Sequence, residues 1–478
     1  MKPSGNGPAP KPSFLPSLAA VIIGSLFLRA AAGAMGENIQ FYFNAIRAAA
    51  LSPNHPLRAI AGAHHVYPIS YTVGGIIIGT FFIAELVGSL VFGAWSDRFG
   101  RKWFIILGPF FGAVAVLMTS FTTAVWLLIL TRLLEGLSTA SNVPATLGYI
   151  AEATSQSPRL RTRIAGFFEI AMIGGMAIGL SLGGWLWGEF GTAAIVAGIP
   201  LTSPAFAANA VIYLISLVIF WLGLRRLIMP RSRTDLPAIS PAQTLNRYWA
   251  ILSSPRVAGF APAWIAINAV LGIWLNLSAR ILTANGHLAH QILVGQFSSL
   301  QAGNIGAGFA LSFVLGILLW SVLFPGIKKT TAMLIGTGGL ILSCGLIFAL
   351  NHQPTLHAPF VIPLAILLVV TIMIQSGFTP AALAYLADIT ETRTADRGAI
   401  MGLYSVFLGL GQFLGAILGG IFVDWRGADG MALAAGLLAI LAALLVLRLR
   451  ADAGHDSEGT RSSPATRSPV PSGSHGSD

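Results

Sequence analysis

Three carboxylates, Glu37, Glu85 and Glu169, and two guanidinium groups, Arg29 and Arg132, interrupt stretches of sequence that are otherwise apolar. A carboxyl withdrawn from water holds its proton more tightly, and a nearby cation loosens it again, so acids in such places suit proton transfer. At 1.5 Å of helical rise per residue, Glu37 and Arg132 fall at similar depth, each about 10 Å from the middle of its segment, and can pair. Arg132 can equally pair with Glu135 as a static brace, and both readings stay open. Arg29 lies near the middle of its segment, placed to meet a substrate carboxylate or to neutralise Glu85 or Glu169. Arg280, near a segment end, is expected to snorkel to the membrane interface. Asn38, Gln40, Asn142, Asn268, Trp274, Asn276 and Gln375 are candidates to line a cavity, although interhelical hydrogen bonds use the same residue types. Histidines such as His64, His65, His287, His290, His352 and His357 are too scattered for a metal site, and no cofactor is expected.

The elements that carry these residues follow from composition. The chain is 55% hydrophobic and 9% charged, against about 25% charged in a soluble domain, so lipid rather than water solvates most of its surface. Apolar runs of about 20 residues recur, each long enough to cross a hydrocarbon core of roughly 30 Å as a helix. Continuous runs without two-residue alternation argue against a barrel. The predicted fold is therefore an all-α membrane protein of twelve transmembrane helices, at 15–45, 68–96, 103–121, 124–153, 162–188, 207–229, 257–283, 303–325, 330–350, 359–388, 397–422 and 430–450. These group as six-helix bundles at 1–229 and 257–450, a linker at 230–256 rich in Arg, Ser and Pro, and a disordered tail at 451–478.

The formal charge of +11 marks topology rather than a nucleic-acid partner. Arg98, Arg101, Lys102, Arg159, Arg161, Arg163, Arg225, Arg226, Arg231, Arg233, Arg247, Lys328, Lys329, Arg393 and Arg397 occupy the loops that share a side with both termini, which the positive-inside rule makes cytoplasmic. The first apolar segment runs on too far for a cleaved signal peptide. One cysteine, Cys344, allows no internal disulfide or thiolate cluster. The expected partners are lipid, protons and a small molecule, with the chain as a monomer in the cell (inner) membrane.

The halves repeat. Pro144-Ala-Thr-Leu-Gly-Tyr149-Ile-Ala-Glu152 matches Pro380-Ala-Ala-Leu-Ala-Tyr385-Leu-Ala-Asp388 at an offset of 236 positions. In the same register Gly166, Gly175, Gly179, Gly183 and Gly184 meet Gly402, Gly411, Gly415, Gly419 and Gly420. Parallel six-helix repeats with a binding site between them near the midplane are a known transporter arrangement.

The segment Gly93-Ala-Trp-Ser-Asp97-Arg98-Phe-Gly100-Arg101-Lys102 closely resembles the loop signature of the major facilitator superfamily. The resemblance implies alternating access, with Asp97 pairing to basic residues or to a helix amino end in the other half and closing the inner side of an outward-open state. The corresponding loop around Lys328 and Lys329 lacks the aspartate, so only the first half carries this gate. Arg132-Leu-Leu-Glu135-Gly136 resembles a pattern of proton-coupled members, with Glu135 where Gln is usual. The glycines from Gly166 to Gly184 resemble the antiporter motif, but Leu180 stands where that motif has proline, and tight packing alone explains the ladder. The family implies a proton-coupled secondary transporter of a small organic solute, export slightly favoured over uptake of a sugar or organic acid. A transporter-like sensor or a lipid-handling protein with a lateral opening are the readings from other classes. No nucleotide-binding Gly-Lys-Ser or Gly-Lys-Thr loop and no catalytic constellation occur, so an enzyme is not expected.

Overall fold

The computed structural model describes residues 15–61, 66–155, 157–225, 249–286, 288, 290–324, 326–391 and 397–461. Most of the expected linker and the tail beyond 461 lie outside them, as do Arg226, Arg231, Arg233, Arg247, Arg393, His64, His65 and His287. The helices are α1 (Leu15–Leu51), α2 (Pro56–Ala61), α3 (Tyr71–Phe99), α4 (Arg101–Thr119), α5 (Val125–Ala153), α6 (Pro158–Phe190) and α7 (Pro204–Leu224) in the first half. The second half has α8 (Pro255–Leu282), α9 (Ser299–Leu323), α10 (Lys329–Asn351), α11 (Val361–Gln375), α12 (Phe378–Glu391), α13 (Arg397–Arg426) and α14 (Ala428–Arg461).

Among the described residues, eleven segments are long and apolar enough to cross a membrane, with α11 and α12 counted as one. The twelfth span is α5, whose buried face carries Thr131, Arg132, Glu135, Ser138 and Asn142. Helix α11 stops where Pro380 has no N–H to return to Ser376, and α12 resumes the span. Besides α1 running on to Leu51, α13 reaching Arg426 and the extra helix α2, two further features depart from the expected boundaries. Residues 451–461 continue α14 as helix, since no proline interrupts the chain before Pro464. A short hairpin, β1 (Ala194–Val196) with β2 (Ile199–Leu201), turns through Ala197 and Gly198 at φ 51° and 81°.

Each half has its own core. Val21, Tyr42, Phe206, Tyr213 and Phe220 centre the first, and Phe260, Trp264, Val270, Ala435 and Ala439 the second. The rings of Phe260 and Trp264, and of Trp264 and Phe378, stack with centroids 6.1 and 5.9 Å apart. Large apolar side chains such as Val87, Leu311 and Val322 face outward, as lipid contact requires.

Glycine contacts reveal how the repeat is built. A Cβ on Gly175 of α6 would stand 2.6 Å from the Leu26 carbonyl oxygen of α1, and one on Gly411 of α13 2.6 Å from that of Ile265 of α8. Equivalent positions thus run at an offset of 239 between α1 and α8. Likewise Gly75 abuts the Ala416 carbonyl and Gly303 the Leu180 carbonyl, which sets α3 and α9 at an offset of 228. The glycine ladders therefore bring backbones together both within a half and across the two halves. Gly166 is different, with open space around it, and the surroundings of Gly402 lie outside the described residues.

We call the side of the bundle that carries Leu15 and Arg461 the terminal side and the other the distal side. Hydrogen bonds between the halves cluster distally. Gln40 donates to the Leu275 carbonyl at 3.0 Å, and Asn44 to Arg280 O at 2.7 Å and Thr283 Oγ1 at 3.2 Å.

Candidate functional site

A cavity of about 600 Å³ lies mainly in the second half, walled by α8, α9, α10 and α11, with the first turns of α14 closing one end. Apolar side chains such as Trp274, Phe309, Ile347 and Ile372 form most of its surface. Its polar groups are Ser278, Ser312, Ser343, Gln375 and, from the first half, Glu37. Glu37 is 3% exposed, and its Oε2 has no hydrogen-bond partner. A Cβ on Gly306 of α9 would stand 3.1 Å from Glu37 Oε1, so a glycine makes room for the carboxylate. Gln375 Oε1 is likewise buried and unpartnered.

Of the seven amide and aromatic candidates, Trp274 and Gln375 line this cavity. The others are engaged or enclosed elsewhere. Asn142 donates to the Ile105 carbonyl of α4, and Asn268 and Asn276 turn back to Trp264 and Gly272 of their own helix. Gln40 bridges the carbonyls of Gly36 and Leu275 and accepts from Arg280 N. Asn38 is fully buried, with both amide atoms unpartnered.

The expected Glu37–Arg132 pair does not form. Arg132 pairs with Glu135 one turn along α5, and Tyr213 donates to Glu135 Oε1 at 3.3 Å. Both members are buried, so the local partner spares Arg132 any reach to another helix. Arg29 donates to Met172 Sδ at 3.3 Å and makes no ion pair among the described residues. Glu85 and Glu169 are near enough for their charges to act on it. Glu169 is exposed on α6 and Glu85 half-buried on α3.

On the terminal side, Arg101 bonds Asp97 Oδ1 at 2.9 Å and Glu152 Oε1 at 3.1 Å, and Lys102 donates to the Arg225 carbonyl at 3.2 Å. These partners all belong to the first half; the contact expected between Asp97 and the second half is not made among the described residues. Arg98 lies beside the Phe99 ring. Gly93 lies 3.8 Å, by its would-be Cβ, from Pro144, and Gly100 takes φ 98° at the turn between α3 and α4. In the second half Lys329 pairs with Asp388, the counterparts of Arg101 and Glu152.

Arg280 does not snorkel. It is 1% exposed and donates to the carbonyls of Ile69 at 2.5 Å and Ser70 at 3.0 Å, with its guanidinium 4.2 Å from the Tyr71 ring centroid. The carbonyls of Ile69 and Ser70 ahead of α3, the second of which also accepts from Gly74 N, supply the partners that make burial tolerable. Beside it, Asp424 of α13 accepts from Tyr71 N and Thr72 N, each at 2.8 Å, and from Thr72 Oγ1 at 2.6 Å. A carboxylate at a helix amino end satisfies its orphan N–H groups and complements its dipole. Asp424 was outside the expected span, which ended at 422, and the only signal for it was an acid four residues past Gly420 in the glycine ladder. On the same side His290 has φ 66°, and His352 Nε2 lies 3.4 Å from Asp429 Oδ2.

A family model described as Major Facilitator Superfamily matches residues 18–286 and again 282–475. The chain is 26% identical over 364 residues to Multidrug resistance protein 1 of Bacillus subtilis, covering 74% of this chain and 82% of that protein. It is 25% identical over 391 residues to the MFS-type transporter SLC18B1 of Homo sapiens, covering 78% and 77%. Among solved structures, the nucleoside transporter NupG aligns with TM-score 0.66 at 16% identity over 91% of this chain and 98% of its own. A bacterial homologue of the human lysosomal transporter Spinster, inward-facing and unoccupied, aligns with TM-score 0.64 at 13% identity, covering 93% and 96%. With the family matched in both halves, on a fold of two repeated bundles, the chain belongs to the Major Facilitator Superfamily of membrane transporters.

Proposed function

We propose that the chain exchanges protons for an amphipathic solute that has an apolar body and a cationic group, moving it by alternating access toward the distal side. One observation carries this reading: an unpartnered, buried carboxylate, Glu37, at the edge of a largely apolar cavity. An unpaired charge in such surroundings is strongly disfavoured. Glu37 therefore holds a proton while the cavity is empty and gives it up to an arriving cation, so proton and cargo compete for one group. Hydrogen-bonding side chains are few, which suits an apolar body better than a sugar.

The terminal side is then cytoplasmic, because Arg98, Arg101, Lys102, Arg159, Arg161, Arg163, Lys328 and Lys329 lie there. The distal bonds between the halves fit a state closed on the outer side. Asp97, bonded within its own half, is free in that state of the partner it takes when the inner side closes. Export is supported by the names of the relatives, two of which are multidrug resistance proteins. Arg29 with Glu85 and Glu169 forms a second charged group on the inner approach, which we assign to proton passage; Arg132–Glu135 braces α5.

Replacing Glu37, Glu85 and Glu169 singly by Gln in proteoliposomes tests the coupling. The expected result is that E37Q loses proton-driven exchange of a lipophilic cation, while E85Q and E169Q slow it. Unchanged pH dependence in all three would sink proton coupling.

A further inference from the structure

In the first half, α3 and α5 touch at two successive levels. A Cβ on Gly88 would lie 2.9 Å from Ala140 Cβ, and one on Gly136 would press on the Phe81 carbonyl and lie 2.7 Å from Ala84 Cβ. In the second half the first contact survives, with Gly316 against Met373 and Ser376, the equivalents of Leu137 and Ala140. At the second level Ile372 stands where Gly136 stands, and it lines the cavity together with Phe309 and Ser312, the equivalents of Phe81 and Ala84. A branched side chain at a site of backbone contact holds two helices apart. Beyond Ile372 toward the distal side, α9 and α11 bound the cavity without closing it. Ile305 and Val369, one on each wall, line the cavity and are also 44% and 43% exposed, and Gly308 has open space around it. An apolar slot between α9 and α11, opening sideways at the depth of the distal membrane leaflet, would account for that exposure.

We propose that this slot between α9 and α11 is the passage by which the cavity exchanges cargo with the distal leaflet, the cargo being a membrane-dissolved amphiphile whose cationic group reaches Glu37. The choice of a cationic amphiphile rests on the reading of Glu37 given above; the slot does not. Two matched side chains and an unpartnered acid argue for it together: apolar walls admit a body that leaves water poorly, and the carboxylate is the complementary charge at the far end. A solute entering this way need never cross the closed distal seam between the halves.

The slot is tested with nitroxides at two equivalent positions, Ser312→Cys and Ala84→Cys, each in a Cys344→Ala background and reconstituted in phosphatidylcholine bilayers. Oxygen partitions into lipid and a nickel chelate stays in water, so the two relaxers separate lipid from water access. The expected result is that oxygen relaxes the label at 312 several-fold more than at 84 while the nickel chelate leaves it untouched. Nickel access at 312, or oxygen access no greater than at 84, overturns the slot. Should the packed position 84 fail to label, lipid-facing Leu311→Cys serves as the upper reference, and a label at 312 well below it likewise overturns the slot.

The passage is tested with tetraphenylphosphonium binding to the full-length protein in nanodiscs. Gly308→Trp and Val369→Trp narrow the slot from opposite walls without entering the packed core. A blocked route raises one barrier for both directions, so association and dissociation should both slow, each by about tenfold. Wild-type rates in both variants overturn the slot as the passage. If the wild type binds no tetraphenylphosphonium, or E37Q binds it equally well, the reading of Glu37 and of the cargo fails, and the nitroxide result alone decides the slot.

Discussion

The two bundles share their glycine contacts and differ in where they keep charge. Arg29 of α1 packs its Cβ against Gly175 as Asn268 of α8 packs against Gly411, so a cation in one half answers to an amide in the other. Glu37 answers to Asn276 by the same offset. Arg101–Glu152 has its mirror in Lys329–Asp388, but Asp97, which joins the first pair, has Pro325 as its counterpart. The distal side reverses the pattern: Asp424 caps α3 from the other half, whereas α9 caps itself through Ser298 and Gln301, and Gly188 occupies the place of Asp424. One backbone plan therefore supports two tasks. The first half buries Glu37, Arg132 and Glu135, whereas the second buries Arg280 alone among the described residues and encloses the apolar space that the first lends a carboxylate.

That contrast can be broken at its seams. Putting the second half's residue into the first, Gly136→Ile, drives a side chain into the Phe81 carbonyl and is expected to have the largest effect, loss of folded protein on size exclusion. The reverse exchange, Ile372→Gly, removes a buried cavity-lining side chain within a helix and should cost about 3–5 kcal/mol by thermal melting, with α9 and α11 drawn together. Arg132→Leu strands Glu135 and should cost about 3–5 kcal/mol, while Arg132→Leu with Glu135→Leu recovers most of it. If the double variant melts like the wild type but loses proton-driven exchange, Arg132 is more than a brace. Asp424→Asn gives up the charge at the α3 amino end and should shift the balance toward distal opening by about 1 kcal/mol, read as increased thiol labelling of Thr72→Cys. Asp388→Ala removes a pair that is half exposed; it should change melting by under about 1 kcal/mol and less still at high salt.

The twelve spans, the repeat and the loop from Gly93 to Lys102 were legible because each is written in consecutive residues or at a fixed offset. What stayed hidden depends on distances between helices. Arg280 finds backbone carbonyls 210 positions away, and carbonyls carry no sequence signature. Asn268 and Asn276 were equally good cavity candidates on paper, and only the structure reveals that each amide folds back on its own helix. Depth counting allowed Arg132 two partners, and the one on its own helix took it because no interhelical geometry was needed. The slot could not be read from either half alone. It is inferred only when Ile372, which shares the cavity wall with Phe309, is set against Gly136, which abuts the Phe81 carbonyl.

Asp424 has one more consequence, and it concerns populations. Helix α3 borrows part of its amino-terminal cap from the opposite half, while α9 brings its own, so parting the halves distally strips a cap from one helix and leaves the other whole. A side-chain cap is typically worth about 1 kcal/mol, and Ser70 stays behind to accept from Val73 N. A bias of that size favours the distally closed form by about fivefold and no more. It is a thumb on the scale rather than a lock, small enough for cargo or a proton to overturn in every cycle.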